Sequence, residues 1–193
     1  MKSYLRIKYF IDRLFAIFLI ILSSPFFILG ILIVSFGSNG KIFFKQKRIG
    51  LNGKFFTLYK FRTMKVSLTR EVGQTNLSNP DIFFGGVFLR RYKIDELPQL
   101  LNILMGDMSF VGPRPFIPEI YKNMPNWAKN RTIAKPGLTG LAQINGNASL
   151  SWNDKWKYDL KYIDNCSYLL DIKILFITLL VVLLGEERFW KKI

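Results

Sequence analysis

Asp95 and Glu96 sit side by side, followed by Leu97 and Pro98. Adjacent side chains at the start of a helix do not face one another, so the two carboxylates can take different tasks. One can attack as a nucleophile while the other serves as a base or a metal ligand. A carboxylate attacking phosphorus gives an aspartyl-phosphate type intermediate, and that chemistry needs no imidazole. The positive end of a helix macrodipole would favour the ionised acid. The same four residues also have an ordinary explanation. Asp just ahead of an amphipathic helix is a common N-cap, and Pro is tolerated in the first turn. In isolation the cap is the better account of Asp95.

Cations suited to phosphate surround the pair in sequence. Arg90 and Arg91 lie a few residues upstream, and Arg114 stands between Pro113 and Pro115. Flanking prolines reduce the entropy lost when that segment is ordered. A guanidinium grips phosphate oxygens as a bidentate fork. A structural salt bridge explains Arg114 equally well. Lys60 and Arg62 add two cations at the end of an expected hairpin, where contact with a membrane surface is the alternative. Lys135-Pro136-Gly137-Leu138-Thr139-Gly140 could present backbone N–H groups to a phosphate, although ordinary turn chemistry is the commoner origin of such a segment. Neither the Walker spacing nor the dinucleotide fingerprint occurs.

The composition narrows the chemistry. The 193 residues include no histidine and one cysteine, Cys166. That removes His-based triads, His-ligated zinc or haem, internal disulfides and Cys-rich metal clusters. Carboxylates, Lys, Arg, hydroxyls and a hard cation such as magnesium remain. Lys and Arg number 28 against 13 Asp and Glu, a net charge of +15. The partner is therefore expected to be anionic: nucleic acid, an acidic membrane surface or a phosphorylated substrate. With half its residues hydrophobic and 18 Phe, the chain is unusual for a soluble nucleic-acid binder.

From Leu14 to Phe36 there are 23 residues without a charge. As one helix they would extend about 35 Å, enough for a hydrocarbon core of about 30 Å. Pro25, after Ser23 and Ser24, should kink or break that helix. Lys2, Arg6, Lys8 and Arg13 precede the run, and Lys41, Lys45, Lys47 and Arg48 follow it. Basic flanks on both sides fit a re-entrant hairpin, since a spanning helix keeps its basic side in the cytoplasm. A kinked span fits the residues as well, because prolines occur in spanning helices. Between Arg13 and Arg70 there is no Asp or Glu. Cations beside an anionic leaflet gain roughly 1 kcal/mol each.

The remaining elements follow from local pattern. Ile42-Phe43-Phe44 and the run Phe55 to Tyr59 are β-prone and flank Gly50-Leu51-Asn52-Gly53, a tight-turn signal, so Lys41 to Met64 reads as a hairpin. Val66 to Asp81 reads as a polar loop. Phe88 to Met105 is helical in pattern and broken near Lys93 to Pro98, with Leu97, Leu100, Leu101 and Leu104 on one face. Gly112 to Pro115 is a rigid turn, and Ile117 to Asn130 is expected to form one more helix. Lys135 to Gly146 reads as a glycine-rich loop or short strand, and Trp152 to Asp164 as an amphipathic helix. The closing run Ile174 to Leu184 is too short to span a membrane and reads as a core or interfacial helix.

Taken in order, the motifs are far more specific than any one of them. They are Arg48-Ile49-Gly50 with Gly53-Lys54, Lys60-Phe61-Arg62-Thr63-Met64, Ile94 to Leu100, Asn102, Gly106 to Pro115 and Lys135 to Gly140. The series closely resembles the bacterial sugar transferase family, the small monotopic phosphoglycosyl transferases, over essentially the whole chain. The resemblance implies transfer of a sugar phosphate from a UDP-sugar to polyprenol phosphate with release of UMP. That step initiates an exopolysaccharide, O-antigen, capsule or glycoprotein glycan. The resemblance also implies a covalent phosphosugar on Asp95, with Glu96 assisting acceptor deprotonation or magnesium binding. Asp95 and Glu96 would be the metal-binding carboxylates, and Lys60, Arg62, Arg90 and Arg114 would contact substrate phosphates. Magnesium would bridge diphosphate oxygens and offset charge on the leaving group. Ser24 and Pro25 match the helix break of a re-entrant anchor, which favours re-entrant over spanning. In one place the chain departs from the pattern: relatives commonly carry Arg where Asn147 follows Gly146, so a cation is missing there.

The expected fold is α+β and mainly α. A re-entrant membrane anchor, helix-break-helix, occupies residues 1–37. A cytoplasmic catalytic domain with amphipathic interfacial helices and a small β-hairpin occupies residues 38–193. The expected location is the cytoplasmic face of the bacterial inner membrane. Membrane lipids, a UDP-sugar and polyprenol phosphate are the expected partners, with no nucleic acid. Two other readings stay open at this point. A non-catalytic membrane-anchored basic protein would hold nucleic acid or acidic lipids, and nucleic-acid binding would fall steeply with salt. A direct glycosyltransferase would release UDP instead of UMP.

Overall fold

The computed structural model describes residues 2–38, 40–65 and 79–184. Most of the loop expected from Val66 to Asp81 lies outside the described residues. Two helices open the chain, α1 (Lys2–Leu22) and α2 (Ser24–Gly37), bent by 64° where they meet. Pro25 falls in the first turn of α2. Its missing N–H is harmless there but prevents α1 from continuing. The break itself is Ser23, whose hydroxyl donates to the Leu19 carbonyl at 2.6 Å. Among the described residues no single helix is long and apolar enough to cross a membrane; α1 and α2 reach that length and apolarity only as a bent pair.

Strands β1 (Phe43–Ile49) and β2 (Phe55–Phe61) form the expected antiparallel hairpin, with Phe43 opposite Phe61 and Ile49 opposite Phe55. At its tip Asn52 and Gly53 both have positive φ, 53° and 76°, the conformation that makes Asn-Gly a hairpin turn. Next come α3 (Phe84–Arg91), a single 3₁₀ turn over Ile94–Glu96, and α4 (Gln99–Met105). The helical stretch is broken where the sequence placed the break.

The short strand β3 (Ser109–Val111) pairs in parallel with β4 (Gly137–Thr139), a contact that sequence pattern did not supply. Between them, the single helix expected over Ile117 to Asn130 is divided into α5 (Pro118–Lys122) and α6 (Asn126–Lys129). Pro125 lacks the donor needed to carry one helix through. Helix α7 (Trp152–Asn165) starts at Ser151, whose hydroxyl accepts from the Asp154 N–H at 3.2 Å. Helix α8 (Tyr168–Leu184) is longer than the apolar run alone suggested. The described protein is mainly helical with two small two-stranded sheets, an α+β arrangement.

The main core joins Ala16, Leu58, Leu100, Ile103, Met108, Val111, Tyr162, Ile163 and Ile174. Helix α1 contributes one buried stripe, Leu5, Lys8, Asp12 and Ala16, at helical spacing. The charges in that stripe are paired, as burial demands. Lys8 Nζ lies 2.6 Å from Asp171 Oδ2 and 3.5 Å from Asp12 Oδ2. Tyr4 and Tyr162 donate to the two Asp171 oxygens at 2.7 and 2.8 Å, and Ser109 donates to Asp12 at 2.6 Å. This network fastens α1 to α7, α8 and β3. The opposite faces are apolar and exposed: Phe10, Leu14, Phe18 and Ile21 on α1, then Leu169, Ile172, Phe176, Leu179 and Leu183 on α8.

A second cluster of Val34, Phe61, Leu89 and Ile94 fixes α2 against β2, α3 and the 3₁₀ turn. Gly30 allows this approach, since a Cβ there would lie 2.7 Å from the Phe61 ring.

Candidate active site

Asp95 is set by the backbone just before it. Lys93 takes a left-handed φ of 57°, a conformation that costs a non-glycine residue about 1 kcal/mol. The chain then enters the 3₁₀ turn, closed by Glu96 N–H to Lys93 carbonyl and Leu97 N–H to Ile94 carbonyl, both 3.1 Å. Ile94 plugs into the second cluster, and Asp95 is buried beside it. Asp95 does not cap α4. The residue at the cap position is Pro98, and no side chain caps that helix. Among the described residues Asp95 Oδ1 is buried without a hydrogen-bond partner.

Glu96 is held differently. Its Oε1 accepts from Lys60 Nζ at 2.6 Å and lies 3.7 Å from Arg114 Nη2. Lys60 comes from β2, and that strand is tied to α4 by Asn102. The wholly buried Asn102 accepts from the Tyr59 N–H at 3.1 Å and donates to the Thr57 carbonyl at 2.7 Å. The helix carrying Asn102 follows the dyad directly, so one amide fixes the distance between cation and acid. Arg90, at the end of α3, donates through Nε to Thr63 Oγ1 at 2.8 Å.

The two acids are driven in opposite directions. Burial pushes Asp95 up to about 6; Glu96 adds to that, while Lys60, Arg90 and Lys93 pull against it. Burial opposes ionisation of Glu96 as well, but Lys60, Arg114 and Lys93 outweigh it and hold the carboxyl well below the usual carboxylate range. Two adjacent carboxyls with separated ionisation have separate chemical uses. Glu96 is a fixed negative charge and a weak base. Asp95 is an ionised but poorly solvated oxygen near neutral pH, which suits a nucleophile.

Among the described residues no cluster of three or more acids, His or Cys could hold a metal alone. Two adjacent carboxylates with an orphaned oxygen do fit magnesium, which is commonly held by one or two carboxylates together with substrate phosphates.

The structure thus brings together Asp95, Glu96, Lys60, Arg90 and Arg114. Arg62 makes its contact elsewhere, from Nη2 to the Phe43 carbonyl at 3.4 Å. Ser24 and Pro25 lie at the bend of the first two helices. Several residues near the site carried no role in the sequence reading. Lys93 and Asn102 position the dyad and Lys60. Arg48 and the buried pair Arg131 and Asp159 support the Arg114 segment. The sequence signal for Arg48 was its place in the motif series. Arg131 and Asp159, 28 positions apart, gave none.

Comparison with known proteins identifies the family. The description "Bacterial sugar transferase" matches residues 3–185. The chain is 43% identical over 183 residues to the sugar transferase EpsL of Bacillus subtilis, covering 93% of this chain and 89% of that one. It is 37% identical to the exopolysaccharide production protein ExoY of Sinorhizobium fredii, over 92% of this chain and 86% of the relative. It is 39% identical over 176 residues to the Escherichia coli UDP-glucose:undecaprenyl-phosphate glucose-1-phosphate transferase, where the match spans 86% of this chain and 38% of a longer protein. With the motif order, the paired acids and a match over nearly its full length, the chain belongs to the bacterial sugar transferase family.

Proposed function

We propose that the protein is a polyprenol-phosphate sugar-phosphate transferase, initiating a polysaccharide at a membrane surface. The observation that carries this is the buried, unpartnered Asp95 oxygen beside an ion-paired Glu96 and among cations. In the first step the Asp95 carboxylate attacks the sugar-bearing phosphorus of a UDP-sugar. The bond to the bridging oxygen breaks, and UMP leaves with the electron pair. In the second step an oxygen of polyprenol phosphate attacks the same phosphorus. The Asp95–phosphorus bond breaks, the carboxylate is restored and polyprenyl diphosphate sugar departs. Lys60, Arg90 and Arg114 neutralise charge on the phosphates, whereas Arg62, turned to the Phe43 carbonyl, would have to leave that contact to join them. Glu96, already ionised, holds the cations in place and would be one carboxylate of the metal site. Magnesium, when bound by Asp95, Glu96 and the donor phosphates, offsets negative charge on the diphosphate.

The names of relatives support the substrate classes. Four of them name undecaprenyl-phosphate with glucose, and others name exopolysaccharide production. The 64° bend at Ser23 to Pro25 and the exposed apolar faces of α1, α2 and α8 support a re-entrant anchor over residues 1–37, in the bacterial inner membrane. On this reading residues 38–193 form the catalytic domain on the cytoplasmic face. The deciding experiment incubates the purified protein with polyprenol phosphate, magnesium and a panel of UDP-sugars. UMP release with one sugar is the expected result. UDP release would mean direct glycosyl transfer, and no acceptor-dependent release would sink the reading.

A further inference from the structure

Arg48, on β1, is held against the segment that carries Arg114. Its Nη1 donates to the Pro115 carbonyl at 3.2 Å and its Nη2 to Gln46 Oε1 at 2.6 Å. Its buried Nε has no hydrogen-bond partner among the described residues. From the other side, Arg131 donates through Nη2 to the Arg114 carbonyl at 2.8 Å. The same Nη2 pairs with Asp159 Oδ2 of α7 at 2.5 Å, both side chains being almost wholly buried. Lys155 lies one helical turn before Asp159 and is itself buried, with Nζ 4.7 Å from the centre of the Trp152 ring. Arg48 from β1 and Lys155 from α7 thus flank the segment that carries Arg114, each near enough to feel its charge.

The acids nearby are already engaged, Glu96 with Lys60 and Asp159 with Arg131. Glu119 reaches Arg48 electrostatically but is exposed. The strain shows in the cations. Burial, and then Arg114, push Arg48 down to about 10, and the same two causes push Lys155 down. Glu96 and Asp159 reach these cations, but two acids face five cations, Arg48, Lys60, Arg114, Arg131 and Lys155, so the cluster is short of an anion.

We propose that Arg48, Arg114 and Lys155 cradle the nucleotide-side phosphate of the donor, the one that departs in the nucleoside monophosphate. The assignment rests on the proposed function and divides the labour of the site. Lys60, Arg90 and Lys93 surround the acid that attacks, and the cradle grips the leaving group. Arg114 joins the two, since it also reaches Glu96.

The test uses the full chain in detergent with Arg48→Gln and Lys155→Gln, and with Lys173→Gln as a matched loss of charge on α8. Calorimetry measures binding of UMP and of inorganic pyrophosphate, and kinetics give KM for donor and acceptor separately. A charge-assisted hydrogen bond lost from a phosphate should weaken binding at least about tenfold. Both variants should show this for both probes, with a matching rise in donor KM and no change in acceptor KM. Arg48→Lys, which keeps charge but loses the fork, should fall between, and it serves if Arg48→Gln does not fold. Unchanged phosphate binding, a loss equal to that of Lys173→Gln, or a rise confined to acceptor KM would overturn the cradle. If wild-type protein releases UDP, or no nucleotide, the proposed function fails. The pyrophosphate measurement still reads the cradle, because it needs no turnover.

Discussion

Replacing Asp95 by Asn should abolish transfer and at the same time stabilise the protein. In the folded chain the Asp95 carboxyl is lifted from 3.8 to about 6, chiefly because burial penalises the charged form. A group that binds its proton more tightly when folded leaves stability intact below its unfolded pKa. It then removes stability as pH rises toward its folded pKa. Here the loss runs from about pH 4 to about pH 6 and is constant above that. At about 1.4 kcal/mol per pH unit it amounts to about 3 kcal/mol. Asn has the shape of the neutral acid and carries no such penalty. The variant should therefore match wild type near pH 4 and exceed it by about 3 kcal/mol at about pH 7.5. For a chain of this size that corresponds to roughly 6–12 °C in Tm. Asp159, which burial also raises to about 6, is present in both proteins and cancels. The assay is chemical unfolding in mild detergent at both pH values, run alongside UMP release. An advantage of equal size at both pH values, or a variant less stable at the higher one, would refute the reasoning. Full UMP release by the variant would remove Asp95 as nucleophile.

Four further outcomes are expected. In the proposed mechanism only the ionised Asp95 attacks, so kcat/KM for the donor should fall about tenfold per pH unit below about 6, and a flat profile there contradicts the assignment. Lys60→Met strips Glu96 of its 2.6 Å partner and should cost about 2 kcal/mol in unfolding free energy, so a stability equal to wild type would show the pair to be unimportant. Arg131→Met leaves Asp159 charged and buried at a cost of about 3–5 kcal/mol, much of which the double variant Arg131→Met with Asp159→Leu should recover; a double as unstable as the single would argue against an ion pair. For the anchor, cysteines placed at Ser3 and Lys41 should label from the same side of the membrane, whereas in Pro25→Ala, with the bend relieved, they should label from opposite sides.

Local pattern was enough for several elements because each depends on neighbours in the chain. Asn52-Gly53 determined the hairpin turn, since both residues accept positive φ, and the β-prone runs on either side determined its strands. Pro25 determined the break between α1 and α2, because no tertiary contact can supply its absent N–H. The motif order determined the family. The long-range contacts were not legible. The pairing of β3 with β4 joins residues 28 positions apart by backbone bonds, which leave no periodicity in side chains. The division of the Ile117 to Asn130 helix at Pro125 was legible in principle, since the proline is in plain sight, and the expectation of one helix gave it too little weight.

The candidate site divides in the same way. Sequence alone could place two carboxylates side by side and require that any catalysis proceed without histidine. It could not distinguish a nucleophile from a helix cap, because both begin with Asp ahead of an apolar helix. The tertiary structure removes the cap, since Pro98 holds that position; it also buries Asp95 with one oxygen unpartnered and brings Lys60 from the hairpin and Arg114 from the proline turn onto Glu96. Which carboxyl is raised and which is depressed depends on desolvation and on charges within a few ångströms. Those are properties of the packed chain, and adjacent residues in sequence need not share them.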